Sequence, residues 1–342
     1  MSRARIAWIG VLAGALLCCL ASASMAIDYS RELKDKDYKI WEFDTGDGYS
    51  MHLTGFFWGL AEGRRLTLLP PENLNSTVYF NTVDGQPGWA YWFADRHWNV
   101  FTADLPGTEL AQPPANPDIV KLTEDAVAAT YKLGTATQPR AIYAQGLSAA
   151  FCIKLRSTTP DAIPAAILVD PIGTKGIQPK ISDSPEQVAS WDDSLEQHLW
   201  VKWGLGPRYG ELYPDSDVGE EGFRVLMEKY DHNAPPYWAT VLTGLQTWME
   251  IKNPKNIAEW PVLLVRGAHP TPEMDAHREA VKSWLSENGA SVEEMDLSKE
   301  GPAGLSNLPM AGSKADEVAA LFMEWLQNLP NNPKFHAPKP QP

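Results

Sequence analysis

The sequence predicts an α/β fold, with a mostly parallel central sheet and a helical cap inserted into it. Three observations carry that prediction. Near-continuous apolar runs of strand length recur at Asn99–Ala103, Arg140–Ala144, Ala165–Val169 and Pro261–Val265, as in parallel strands covered on both faces. A helical stripe of Ile119, Leu122, Ala126, Ala129 and Leu133 stands between the first two runs, so strand, helix and strand alternate. Roughly ninety residues separate the last two runs, too many for a single crossover.

Taken in chain order, residues 1–26 read as a signal peptide. Arg3 and Arg5 form a basic start, Ile6 to Leu20 is an apolar stretch, and small residues follow as Ala21-Ser22-Ala23 or Ser24-Met25-Ala26. The expectation is a secreted protein, extracellular or periplasmic. A stable membrane anchor is not expected, because the apolar stretch is short for a span. Cleavage would remove Cys18 and Cys19 and leave Cys152 alone, so stability must come from a core and not from disulfides. Asn75-Ser76-Thr77 is a glycosylation sequon, meaningful in a eukaryotic host.

From Asp37 to Leu69 short aromatic-rich runs alternate with Gly and Asp, which reads as an antiparallel opening. Residues 27–172 form the first part of the α/β core, 173–258 the cap, and 259–329 the second part. The cap holds Trp191, Trp200, Trp203, Trp238 and Trp248. They either glue it to the core or line a ligand cavity beneath it. Val318, Leu321, Phe322, Trp325, Leu326 and Leu329 give the last helix an apolar face. Residues 330–342 are Pro- and Asn-rich and read as a disordered tail.

Composition narrows the function. The 342 residues are 44% hydrophobic and 21% charged, enough for a substantial core and incompatible with wholesale disorder. Against 43 Asp+Glu there are 29 Lys+Arg, giving −14. Without clustered Lys and Arg a nucleic-acid partner is not expected. No sign of a protein partner is present either.

The run Asn81-Thr82-Val83-Asp84-Gly85-Gln86-Pro87-Gly88-Trp89, followed by a strand and Asp104-Leu105-Pro106-Gly107, resembles a secreted and periplasmic esterase branch of the α/β-hydrolase superfamily. There the motif reads N-T-P-D-G-R-P-G-W, with D-x-P-G after the next strand. The Gly55 to Gly59 run and the closing helix are similar too. The resemblance implies an α/β-hydrolase fold with a cap, and a Ser–acid–His site at the C-terminal strand ends.

Two registers exist for the nucleophile elbow, the tight strand-to-helix turn that needs small residues on either side of the nucleophile. Gly146-Leu147-Ser148-Ala149-Ala150 makes Ser148 the nucleophile. Ala144-Gln145-Gly146-Leu147-Ser148 puts Gly146 there instead. The end of the apolar run at Ala144 favours Gly146; the resemblance agrees, since its ungapped count through Pro160-Asp161 to Val169-Asp170-Pro171 implies Gly146 at the serine, and glycine tolerates the backbone such a turn needs. Pro70-Pro71-Glu72 falls where the resemblance places the oxyanion turn, and proline has no N–H to supply.

By the same resemblance Asp170 matches the acid, and Asn307 in Gly304-Leu305-Ser306-Asn307-Leu308-Pro309-Met310 falls on the histidine. Asn cannot take a proton at neutral pH. None of the 7 His lies in that loop; His269, after the Pro261–Val265 run, is the best substitute. The expected substrate-binding residues are Leu147, Trp191, Trp200 and Trp238. No metal-ligand spacing or phosphate loop appears, so no metal or cofactor is expected. Glu273-Met274-Asp275-Ala276-His277 reads as a helix start whose acids satisfy the N-terminus. The function expected is therefore that of a hydrolase scaffold without serine-hydrolase chemistry. It would bind or convert a small apolar molecule as a cyclase, lyase or isomerase. The alternatives are an esterase using Ser148 and a ligand-binding pseudoenzyme.

Overall fold

The computed structural model describes residues 37–44, 50–57, 64–71, 74–103, 140–177 and 249–329. Contacts divide the chain into residues 1–38 and 39–342, and the architecture below is that of the second unit, with Asp37 and Tyr38 counted in its first strand. The signal peptide, the Ile119–Leu133 helix, Asp104 to Gly107, the cap tryptophans and the tail lie outside the described residues.

Eight strands form one sheet: β1 (Asp37–Asp44), β2 (Ser50–Phe57), β3 (Arg64–Leu69), β4 (Trp98–Ala103), β5 (Ala141–Gln145), β6 (Ala165–Val169), β7 (Pro261–Arg266) and β8 (Ser291–Asp296). Their order is β1-β2-β4-β3-β5-β6-β7-β8. β2 runs antiparallel to β4, whereas β4, β3, β5, β6, β7 and β8 are mutually parallel. The antiparallel opening is thereby corrected: it stops at β2. β3 is buried along most of its length and crosses to sit between β4 and β5, where its apolar Leu66, Leu68 and Leu69 are covered on both faces.

The four predicted parallel strands are present, with ends moved by one residue at most. β8 is an addition. Its sequence, Ser-Val-Glu-Glu-Met-Asp, is largely solvated and pairs with β7 at the edge, where charge guards against further pairing. Helix α1 (Trp89–Asp95) is also new: Trp89 through Ala94 are all buried, so no polar face marks it as a helix.

Helices α2 (Leu147–Thr158) and α3 (Pro272–Glu287) cover one face of the sheet, against Ile142, Ala144, Leu168, Val262 and Leu264. α1 and α4 (Ala315–Asn328) cover the other. There Trp89 packs edge-on to Tyr143 at 5.0 Å and to Phe322 at 5.7 Å. The α4 stripe is confirmed in the burial of Val318, Phe322, Trp325 and Leu326. Five of the described tryptophans, Trp89, Trp92, Trp98, Trp260 and Trp325, belong to this buried interior.

The Asn81–Trp89 motif folds as a tight hairpin. Asn81 bridges Pro87, Thr82 N donates to Gln86 O at 2.9 Å, and Gly85 turns the chain at φ 82°. A Cβ on Gly88 would lie 2.6 Å from Tyr79 O, so only glycine fits. The hairpin is tied to the loop before α4 by Val83 N to Ala311 O, 2.8 Å, and by Trp89 Nε1 to Ala315 O, 2.8 Å. Lys175 and Glu250, both within the residues expected to form the cap, are joined by a parallel bridge. No helix among the described residues is long and apolar enough to cross a membrane.

Candidate functional site

At the end of β5 the chain turns sharply into α2, and the residue at the turn is Gly146. Its φ of 58° and ψ of −122° form a backbone that strains any residue with a Cβ. The turn is held from β6, with Gly146 N donating to Val169 O and Ile172 N donating to Gly146 O, both at 3.0 Å. This is the elbow geometry, and it falls on Gly146 and not on Ser148.

Ser148 is the second residue of α2 and is fully buried. Its hydroxyl donates to the Pro70 carbonyl. The segment after β3 thus turns a carbonyl acceptor toward α2, and Pro70 and Pro71 have no N–H to offer. Leu147 is the first residue of α2 and is buried.

Asp170 directly follows β6 at φ 39°, a left-handed conformation rare for a residue with a side chain. Its backbone N donates to Val265 O at 3.0 Å, and its Oδ1 accepts from Gly267 N at 2.9 Å. Asn307 lies against the same loop. Its Oδ1 accepts from His269 N at 2.6 Å and its Nδ2 donates to His269 O at 2.7 Å. A Cβ on Gly267 would stand 2.2 Å from Asp170 Oδ2 and 3.1 Å from Asn307 Oδ1. The loop after β7 therefore needs glycine to pass between them, and the two side chains converge on one point.

Gln145 joins these parts. Fully buried beside the elbow, its Nε2 donates to Asn307 O at 2.7 Å, and its Oε1 accepts from Tyr143 O–H at 2.9 Å. Burial pushes the Tyr143 hydroxyl well above its ordinary pKa, and the Asp170 charge adds to the effect. Tyr143 accordingly stays a neutral donor. Sequence reasoning did not single out Gln145, Tyr143 or Gly267. Position was the available signal for Gln145, which immediately precedes the elbow.

The structure thus brings together Gly146, Asp170, Asn307 and the His269 backbone at the C-terminal strand ends, and directs Ser148 elsewhere. Trp191, Trp200 and Trp238 fall outside the described residues. Asn75 is 4% exposed, and its Oδ1 accepts from Thr77 N at 3.0 Å to cap the turn Ser76–Tyr79, so its side chain is committed inward. α3 begins where expected, with Glu273 and Asp275 in its first turn. Thr271 Oγ1 accepts from Met274 N at 3.2 Å as the cap, while Asp275 takes a two-pronged bond from Arg266 at 2.8 and 2.9 Å. No group of His, Cys, Asp and Glu among the described residues is placed to hold a metal ion.

Similarity to solved structures follows the same architecture. The chain superimposes on a bacterial membrane phospholipase A with a TM-score of 0.55 and 16% identity, covering 94% of this chain and 96% of that one. Bromoperoxidase from Bacillus anthracis gives 0.58 and 13%, covering 84% and 100%. An N-acyl homoserine lactone degrading enzyme gives 0.55 and 17%, covering 83% and 100%.

The chain has the α/β-hydrolase fold. No protein-family model and no curated protein matches it by sequence. The turn at Gly146, Asp170 and the loop carrying Asn307 all lie at the C-terminal ends of the parallel strands.

Proposed function

We propose that this protein uses the α/β-hydrolase scaffold without serine-hydrolase chemistry, to hold a small apolar molecule at the C-terminal strand ends. The observation that carries the reading is Gly146 at the strained elbow. Glycine has no nucleophile, and the group opposite, Asn307, spends its amide on the His269 backbone and cannot accept a proton at neutral pH. Asp170 is the ionisable group left at the centre. Conversions compatible with that set are intramolecular ones, such as cyclisation, elimination or isomerisation, in which positioning supplies much of the acceleration. The basic, apolar leader in residues 1–26 supports secretion as the setting.

A second reading is an esterase-like hydrolase with Ser148 as nucleophile. It is favoured by the company the fold keeps, which includes a phospholipase, a lactone-degrading enzyme and a serine hydrolase from a Cycloclasticus species. Fluorophosphonate labelling of the secreted protein separates the two, with wild type beside Ser148→Ala and an ester panel in parallel. The first reading expects neither labelling nor ester turnover. Labelling that disappears in Ser148→Ala would replace it with the second.

A further inference from the structure

On β5, Tyr143 and Gln145 stand two residues apart, so both face the side of the sheet covered by α1 and α4. The Tyr143 ring lies there 5.0 Å from Trp89, 5.9 Å from Phe322 and 6.1 Å from Tyr79. Gln145 ends the strand and is fully buried. A buried amide needs a partner for each of its ends inside the protein, because bulk water does not reach it.

Both ends of this amide are taken. Asn307 O can only accept, so it faces Nε2 at 2.7 Å, and Oε1 is left to accept from the Tyr143 hydroxyl at 2.9 Å. The direction is therefore fixed, with Tyr143 donating to Gln145 and Gln145 donating to Asn307. Asn307 continues it through its own side chain, which holds the His269 N–H and carbonyl at 2.6 and 2.7 Å. Ser306 and Leu308, on either side of Asn307, bond to each other and shape its turn. The Gln145 bond ties that turn to β5. An unbroken series of hydrogen bonds thus runs from the aromatic core to the loop after β7.

We propose that Tyr143 and Gln145 are positioning residues, which set from the core where Asn307 holds His269 at the C-terminal strand ends. The site they serve is the one assigned above to a bound apolar molecule, and their importance rests on that reading; the bonds themselves need no ligand. Gln145 acts directly on Asn307, whereas the Tyr143 hydroxyl acts through Gln145. Its effect on His269 must therefore vanish when Gln145 is removed.

Native-state amide hydrogen exchange of the isotope-labelled full-length protein tests this, in wild type, Tyr143→Phe, Gln145→Met and the double variant. Gln145→Met should speed exchange at the His269 amide about tenfold relative to the Ile142 and Leu168 amides of the sheet. Tyr143→Phe keeps the ring and should give a smaller increase, with a shifted His269 amide resonance. In the double variant the rate should match that of Gln145→Met alone, since the two residues act in series. A role in packing alone would speed these amides together or leave His269 untouched, and either result overturns the proposal. Additive effects of the two substitutions at His269 would overturn it as well. Should Gln145→Met fail to fold, Tyr143→Phe decides, and an unchanged His269 resonance and exchange rate refute the positioning role. Fluorophosphonate labelling of the wild type would instead remove the functional reading and leave these rates as they stand.

Discussion

Asn307 grips His269 by both of its backbone groups, accepting from the N–H at 2.6 Å and donating to the carbonyl at 2.7 Å. The amide therefore works as a two-pronged staple between the loop before α4 and the loop after β7. Removing the staple in Asn307→Ala should destabilise the protein by about 2 kcal/mol, read as a lower urea midpoint with an unchanged slope. A midpoint equal to wild type would show that the two bonds contribute nothing net.

The elbow gives a prediction of opposite design. At φ 58° and ψ −122° a Cβ at position 146 is strained, so Gly146→Ala should cost about 1–3 kcal/mol. Gly146→Ser should cost a similar amount. It should also remain unlabelled by a fluorophosphonate, because no imidazole stands where Asn307 does. Labelling of Gly146→Ser would mean that His269 or another base reaches the elbow.

Trp89 ties the hairpin motif to the last helix through its indole N–H and the Ala315 carbonyl at 2.8 Å. Trp89→Phe keeps an aromatic ring beside Tyr143 and Phe322 but loses that donor and leaves a small void. The expected loss is about 1–3 kcal/mol, measured by thermal unfolding. A variant as stable as wild type would remove the hairpin from the set of structures bracing the Asn307 loop.

The edge of the sheet sets a pH dependence. Hydrogen bonding to Arg266 lowers the Asp275 pKa despite some burial, with the charges of Arg266 and Arg278 adding to it. For Asp296 burial acts upward, but the Ser298 and Lys299 hydrogen bonds and the Arg266 charge together hold it at about 2. Both folded-state values lie below the ordinary ~3.9 of an unfolded Asp. Their stabilisation is fully present above that pH and is lost as pH falls through the depressed values. These groups are partly exposed, so Arg266→Met should cost about 1 kcal/mol or less at pH 7. It should also flatten the loss of stability between pH 4 and pH 2. An acid limb identical to wild type would show that Arg266 does not carry the effect.

Much of the fold was legible because burial leaves a mark on composition. Strands covered on both faces read as unbroken apolar runs, and β5, β6 and β7 did so within one residue of their ends. α4 was legible through its apolar stripe. What failed to show were elements whose surroundings contradict their local pattern. β8 is polar because it is an edge, and α1 is apolar on every side because it is wholly enclosed. β3 had the right residues but the wrong neighbours, since strand order depends on where a crossover lands and not on the strand itself.

The site divides in the same way. The sequence by itself determined which groups are available: Gly146 or Ser148 after β5, Asn307 before α4, and Pro70 and Pro71 after β3. Those are matters of residue type. Only the tertiary structure shows that the positive φ falls on Gly146 and that the Ser148 hydroxyl faces the Pro70 carbonyl, because packing between distant segments sets both. Only the tertiary structure, too, brought Gln145, Gly267 and Tyr143 into the network around Asp170 and Asn307. Their roles arise from contacts between segments far apart in the chain, and no local pattern of residues encodes a contact of that kind.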